Sequence, residues 1–146
     1  MSGSGFLGTR ASWAADLNLI AQVVLLLVLV AGILRAKKHD YTSHHGWMTA
    51  VVLANAALIV AIMNPSFFRA LPLALVDAAI KPKMVLPHFV VGVLAELTGL
   101  YAVIGVKMDL PDTWRVRNTK RFMRITAVLW TIALVGGIVL YVVWYV

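Results

Sequence analysis

The chain has 146 residues, of which 62% are hydrophobic and 13% are charged, and its formal net charge is +7. A mean hydropathy of +0.89 lies outside the range of soluble domains of this length, so the composition excludes a water-soluble globular protein. The absence of cysteine excludes disulfides, thiolate metal sites and c-type haem attachment. We therefore expect an integral membrane protein.

Four apolar segments are long enough to cross a bilayer core of about 30 Å as helices. They cover residues 17–34, 46–63, 84–106 and 125–146, and none contains lysine or arginine. The alternation typical of membrane strands is absent, and open strands cannot cross lipid with unpaired backbone groups. The sequence predicts an all-α up-and-down four-helix bundle that forms a single transmembrane domain over residues 1–146.

The first segment is not a signal peptide, because its basic cluster, Arg35, Lys37 and Lys38, follows the apolar residues instead of preceding them. The connections after the first and third segments carry nine basic residues, against four on the other face. This bias predicts a multi-pass protein of the cell membrane with both termini outside and the basic loops in the cytoplasm. The positive charge then lies beside anionic lipid headgroups and does not indicate binding of nucleic acid.

Three of the four histidines lie in KKHDYTSHHGWMTA, residues 37–50, at the start of the second segment. His44 and Asn55 share a helix face with Met48, because eleven residues make almost three turns, while His45 points elsewhere. The stretch is either a solvated basic loop or a source of ligands.

Haem b is the cofactor that these histidines would suit. Its iron would take His44 or His45 together with His39, or one histidine with an open, water or methionine sixth position. The basic residues available to its propionates are Arg121, Arg124 and Lys38.

The connection over residues 64–83 contains Pro65, Pro72 and Pro82, which are expected to break it up. Within it, residues 71–80 are predicted to form a short amphipathic helix on the membrane surface. Residues 112–124 contain no proline, so helix 4 is predicted to begin before its apolar segment.

The third segment carries PHFVVGVLAELTG, residues 87–99, with His88 at its edge and Glu96 two turns further in. Glu96 and Asn55 both fall near the midpoints of their segments, so we expect them at one depth. Because an ionised acid is costly at the bilayer centre, Glu96 should face the bundle interior, either protonated or paired. Its role is a proton relay, a partner of a ligand site, or an interhelical hydrogen bond.

One face of the third helix is rich in small residues. Its members, at spacings of three and four, are His88, Gly92, Ala95, Glu96, Gly99 and Val103. Such a face admits either a neighbouring helix or a flat macrocycle.

His44 and His88 belong to opposite leaflets, about 20 to 28 Å apart along the helix axes, so they cannot ligate one iron. Copper is the alternative to haem. Met84 lies one turn from His88, Met63 ends the second segment, and thioether with imidazole suits Cu(I).

Motifs for nucleotide binding or hydrolysis are missing: the sequence has no glycine-rich phosphate loop, no paired carboxylates and no nucleophile with a base. We therefore expect no self-contained catalytic activity.

Three stretches of the chain stand out together. They read LRAKKHDYTSHHGWMTAVVLANAALIV, PHFVVGVLAELTGLYAVIGVKM and TKRFMRITAVLWTIALVGGIVLYVVWYV. In this order they resemble the small four-helix membrane proteins of domain-of-unknown-function family 420, which include the CtaM-like maturation factors of haem-copper terminal oxidases. The resemblance spans roughly residues 30 to 146, and its motifs are sparse.

In that family a histidine precedes a methionine at the start of helix 2, which corresponds to His44 and Met48, and a helix 3 histidine corresponds to His88. The family also has a histidine before helix 4 and a proline within that helix, where this chain has Thr119 and Val128. The positions that match around them are Arg124, Thr126 and Trp130.

If the family's missing histidine binds a cofactor, this chain would use His39 or His45 in its place, or would lack the site. The resemblance implies an integral membrane accessory or assembly protein of a haem-copper oxidase, with respiratory membrane proteins as partners and haem or copper as its cofactor. Two alternatives are a small b-type cytochrome that carries electrons in the membrane and a cofactor-free structural subunit. The sequence leaves a homo-oligomer open.

Overall fold

The computed structural model describes residues 5–68, 80–108, 111, 113 and 116–146, with the side chains of the third helix described from residue 84 onward. This part of the chain is helical and contains no strand. Within these described residues, four helices are long and apolar enough to cross a membrane. They are α1 (Trp13–Lys37), α2 (Tyr41–Phe68), α3 (Ile80–Lys107) and α4 (Thr119–Tyr145). Apart from Ile80, the expected surface helix lies outside the described residues.

Side-chain caps extend three of the helices beyond their apolar segments. An oxygen of the residue before each helix accepts a hydrogen bond from a backbone N–H in its first turn, which satisfies a donor that the helix leaves unpaired. These bonds join Ser12 to Ala15 at 3.3 Å, Asp40 to Ser43 at 3.2 Å and Asn118 to Arg121 at 3.0 Å. Accordingly α4 begins before its apolar segment, as residues 112–124 indicate.

The turn between α1 and α2 is held by Asp40. Its carboxylate accepts a hydrogen bond from Arg35 at 3.2 Å. Hydrogen bonds from the side chain and backbone of Ser43, with a smaller contribution from Arg35, hold the pKa of Asp40 below its usual range. His39, with φ of 62°, takes the left-handed conformation that reverses the chain here.

The prediction that prolines break the chain after Met63 is wrong at Pro65, because α2 continues through it to Phe68. Residues Ile59–Met63 form a π-helical segment, in which the N–H of Asn64 donates to the carbonyl of Ile59. Proline has no N–H to donate to the preceding turn, and the wider π turn directly precedes it. The hydrogen-bond pattern changes from α to π before the proline, and the helix continues.

The helices pack as a ring. Helix α1 packs against α2 and α4, and α3 packs against the same two helices; across the described residues no Cα atom of α1 lies within 8 Å of one of α3, and none of α2 lies within 8 Å of one of α4. At one end of the bundle, which we call the N/C end, the N–H of Arg10 donates to the carbonyl of Tyr145. The opposite end, which we call the basic end, holds the α1–α2 turn. The core consists of Leu25, Leu29, Val51, Val52, Ala95, Trp130 and Leu134.

Trp130 joins α4 to α3 in the middle of this core. Its indole N–H donates to the carbonyl of Ala95 at 2.7 Å. Gly99 makes room for the ring: a Cβ there would lie 2.9 Å from Trp130 Nε1 and 3.0 Å from a methyl group of Val52. The small-residue face of α3 therefore admits a neighbouring helix at Gly99. At Gly92 a Cβ would meet no described neighbour within 4 Å.

We expect Gly99→Ala to lower the free energy of unfolding by about 1–3 kcal/mol, because the added methyl group forces Trp130 or Val52 to shift. Denaturant unfolding in detergent, followed by circular dichroism, measures the change. Gly92→Ala is the matched control, since it makes the same substitution in the same helix without a clash. An equal loss in both variants would contradict this account of Gly99.

Candidate functional site

Trp130 separates two cavities and lines both of them. The cavity toward the basic end, which we call the His44 cavity, has a volume of about 700 Å³. The cavity toward the N/C end, which we call the His88 cavity, has a volume of about 230 Å³. The structure thus brings His39, His44 and His45 to one cavity and places His88 in the other.

His44 is oriented by the backbone of α1. Its Nδ1 lies 2.8 Å from the carbonyl oxygen of Gly32. Because a carbonyl can only accept, Nδ1 carries the proton and donates it, which leaves Nε2 of the neutral ring with a free electron pair. Histidines that bind metals commonly have their other nitrogen held in this way. The backbone of α1 therefore fixes the orientation of the His44 ring through Nδ1 alone.

The other two histidines at the basic end are less constrained. His39 Nδ1 lies 3.0 Å from the hydroxyl of Tyr41. The ring of His45 lies 5.6 Å from that of His44, measured between centroids, and His45 is exposed. Both side chains line the His44 cavity.

Three basic residues line the His44 cavity: Lys37, Lys120 and Arg124. Of the residues predicted to meet haem propionates, Arg124 is in this group, whereas Arg121 and Lys38 are not. The cavity therefore combines apolar walls with an imidazole that is held by the backbone of α1. Its positive charge lies at the level where the helices leave their apolar segments.

His88 rests against bare backbone of α4. A Cβ at Gly136 would lie 3.0 Å from His88 Nδ1, and one at Gly137 would lie 3.5 Å from His88 Cε1. The paired glycines thus form the niche that receives the imidazole. Neither glycine was singled out by the sequence, because their role depends on a residue of another helix.

The predicted copper ligands are brought together only in part. Met63 and His88 line the same cavity, whereas Met84 is not among its lining residues. Over the described ranges, no group of three or more His, Cys, Asp or Glu side chains could hold a metal ion.

A chain of polar side chains crosses the middle of the bundle. Asn55 Nδ2 donates to Glu96 Oε2 at 3.0 Å, and Gln22 Nε2 lies 3.5 Å from Asn55 Oδ1. Glu96 and Gln22 are both buried, with 8% and 3% of their surface exposed. The other carboxyl oxygen of Glu96 has no partner within the described part of the chain. Glu96 and Asn55 therefore meet at one depth and face the interior.

A second polar cluster, which was not predicted from the sequence, lies at the N/C end. Asp16 is completely buried; it accepts hydrogen bonds from the hydroxyl of Tyr141 and, at 2.8 Å, from the N–H of Leu7. The hydroxyl of Thr9 lies 2.8 Å from that of Tyr141. These bonds fold residues 5–11 over the end of the bundle. The sequence contained a signal for this cluster. Asp16 is an acidic residue directly before the apolar segment 17–34, whereas the charged residues beside the other segment ends are mostly basic.

The chain matches no protein-family model, no curated protein and no solved structure. The resemblance to family 420 and the role that it implies therefore stay predictions. The two cavities and their lining side chains are the observations from which a function can be proposed.

We expect Tyr141→Phe to lower the free energy of unfolding by about 1–3 kcal/mol, because a buried carboxylate loses one of its donors. Thermal unfolding in detergent measures the loss. Tyr145→Phe removes the same group from a neighbouring ring of α4 and serves as the control. If the two variants unfold alike, the bond to Asp16 does not stabilise the N/C end.

We expect Glu96→Leu to lower the free energy of unfolding by about 1–3 kcal/mol, because the half-buried amide of Asn55 loses its acceptor. Glu96→Gln keeps an oxygen at this position, so its loss should be smaller. Denaturant titration of both variants measures the difference. A Gln variant as unstable as the Leu variant would show that the hydrogen bond to Asn55 is not what matters at Glu96.

Proposed function

We propose that this chain is a membrane accessory or assembly protein of a haem-copper terminal oxidase and that it holds haem b in the His44 cavity. The observation that carries the proposal is the hydrogen bond from His44 Nδ1 to the Gly32 carbonyl. It fixes the imidazole and leaves Nε2 as the nitrogen available to iron.

The residues of the cavity fit this cofactor. A volume of about 700 Å³ lies in the range of pockets that hold cofactors, and its walls are mostly apolar. Arg124, Lys120 and Lys37 supply positive charge for the two propionates. When bound, haem would supply one-electron redox chemistry or be handed to a partner. The protein would hold the ring, orient the ligating imidazole and keep the group out of water.

The link to an oxidase rests on the resemblance of residues 30 to 146 to family 420, and so does the expectation of oxidase subunits as partners. The same proposal includes an up-and-down order of the helices, termini on the outer face and a location in the cell membrane. The bias of basic residues toward the α1–α2 and α3–α4 connections supports the orientation. The His44 cavity would then open toward the cytoplasm.

A small b-type cytochrome is the second candidate. The observation in its favour is that His39 lines the same cavity as His44, and a bis-histidine haem requires a second imidazole at the site. A stable six-coordinate haem suits electron transfer, whereas a single protein ligand suits delivery of haem to another protein.

Optical spectra of the purified protein, oxidised and dithionite-reduced, test the proposal when haem is supplied during expression. We expect the wild-type protein to show a b-type spectrum. In His44→Ala the haem occupancy should fall at least tenfold, because the proposed ligand is removed. His88→Ala is the matched control: the same substitution in the other cavity should leave the spectrum unchanged.

His39→Ala distinguishes the two candidates. A shift to a high-spin spectrum would favour the cytochrome, and an unchanged spectrum would favour a single protein ligand. A colourless wild-type protein, or equal spectra in the His44 and His88 variants, would overturn haem binding at His44. Affinity purification from membranes, with oxidase subunits identified in the eluate, tests the oxidase link separately.

A further inference from the structure

The wall of the His88 cavity contains the π-helical segment of α2. Ile59, Ile62 and Met63 belong to this segment and line the cavity. A π turn places side chains in directions that a regular α-helix does not offer, and such segments are rare and frequently found at functional sites. The backbone of this wall is therefore specialised at the cavity.

Two buried polar atoms of the cavity's lining residues have no partner within the described ranges. They are Oδ1 of Asn18 and Nε1 of Trp144. Indole N–H can only donate, and an amide oxygen can only accept. A molecule that satisfies both must carry an acceptor and a donor, such as a carbonyl group and a hydroxyl group. Since buried polar groups are ordinarily paired, these two atoms indicate a polar occupant.

The apolar part of the lining favours a flat ring. Phe67 and Phe89 both line the cavity and stack on each other with centroids 4.2 Å apart. The indole of Trp130 forms the floor between the two cavities. Gly92 also lines the cavity, and no described atom would contact a Cβ there. Aromatic walls beside a bare stretch of helix leave a surface on which a planar group can lie.

The charge of the lining separates the two cavities. Among the described residues that line the His88 cavity there is no Lys, Arg, Asp or Glu, whereas three basic residues line the His44 cavity. The polar lining is instead made of uncharged amides and hydroxyls together with one imidazole: Asn18, Gln22, Asn55, Asn64, Ser66, Tyr141, Tyr145 and His88. An uncharged ligand fits this lining, and an ion would find no opposite charge.

From these observations we infer that the His88 cavity is a second binding site, which takes the head group of a lipid-soluble quinone or quinol. Such a molecule is planar and neutral, carries carbonyl or hydroxyl groups on opposite sides of one ring, and reaches the cavity through the bilayer that the helices span. Trp144 donates to one of its oxygens and the amide oxygen of Asn18 accepts from a quinol hydroxyl. The inference does not depend on haem binding at His44.

Decylubiquinone and its reduced form are the probes, added to the full-length protein in lipid nanodiscs. Isothermal titration calorimetry, with protein-free nanodiscs as the blank, should show saturable binding of one molecule per chain. Trp144→Phe keeps an aromatic ring at this position and removes the indole N–H donor, so it should weaken binding of the quinone about five- to tenfold.

Gly92→Leu places a large side chain in the cavity and should weaken binding at least tenfold. Gly46→Leu is its matched control, because Gly46 is exposed, lies in neither cavity and would also meet no described neighbour. Thermal unfolding confirms that the variants are folded. If Gly92→Leu does not fold, Trp144→Phe and Asn18→Leu carry the test.

A heat of injection that does not saturate and equals that of the protein-free nanodiscs would show only partition of the quinone into lipid. This result would overturn the proposed binding site. Wild-type affinity in both the Gly92 and Trp144 variants would also overturn it, because binding would then lie elsewhere. His44→Ala should leave the affinity unchanged; this result separates the quinone site from the haem proposal, and a loss there would contradict two independent sites.

Discussion

The hydrogen bond from the indole nitrogen of Trp130 to the carbonyl of Ala95 is the contact on which the interior arrangement depends. It draws α3 and α4 together at mid-bundle, where a glycine leaves space for the ring. A cavity remains between the helices on each side of this point. Trp130 therefore lies at the point where the interior divides into the two cavities, and its ring lines both of them.

The two cavities differ in chemistry because they lie at different distances from the basic end of the bundle. The His44 cavity is bordered by cationic side chains and by an imidazole fixed to the backbone of α1. The His88 cavity has neutral amides and aromatic rings. Between them the pair Asn55 and Glu96 satisfies part of its own hydrogen bonding. In a medium without water such pairs are retained because separating them leaves two unpaired groups.

Much of this arrangement follows from local sequence. Apolar length predicts four helices, and equal depth predicts that Asn55 meets Glu96. What the sequence could not supply depends on geometry between helices: the niche that Gly136 and Gly137 form for His88, and the shape of the cavities. The continuation of α2 through Pro65 was missed for another reason. Proline usually marks the end of a helix, but here a π turn accommodates the missing N–H.

The bond between Asp16 and Tyr141 joins residues that are 125 positions apart in the chain. At a synthesis rate of about 5–20 residues per second, the acid is made about 6–25 s before its partner. During that interval the carboxylate of Asp16 lacks its hydrogen-bond donor from α4. The end of the bundle therefore closes last, after the fourth helix is complete, and residues 5–11 take their final place as a late step of folding.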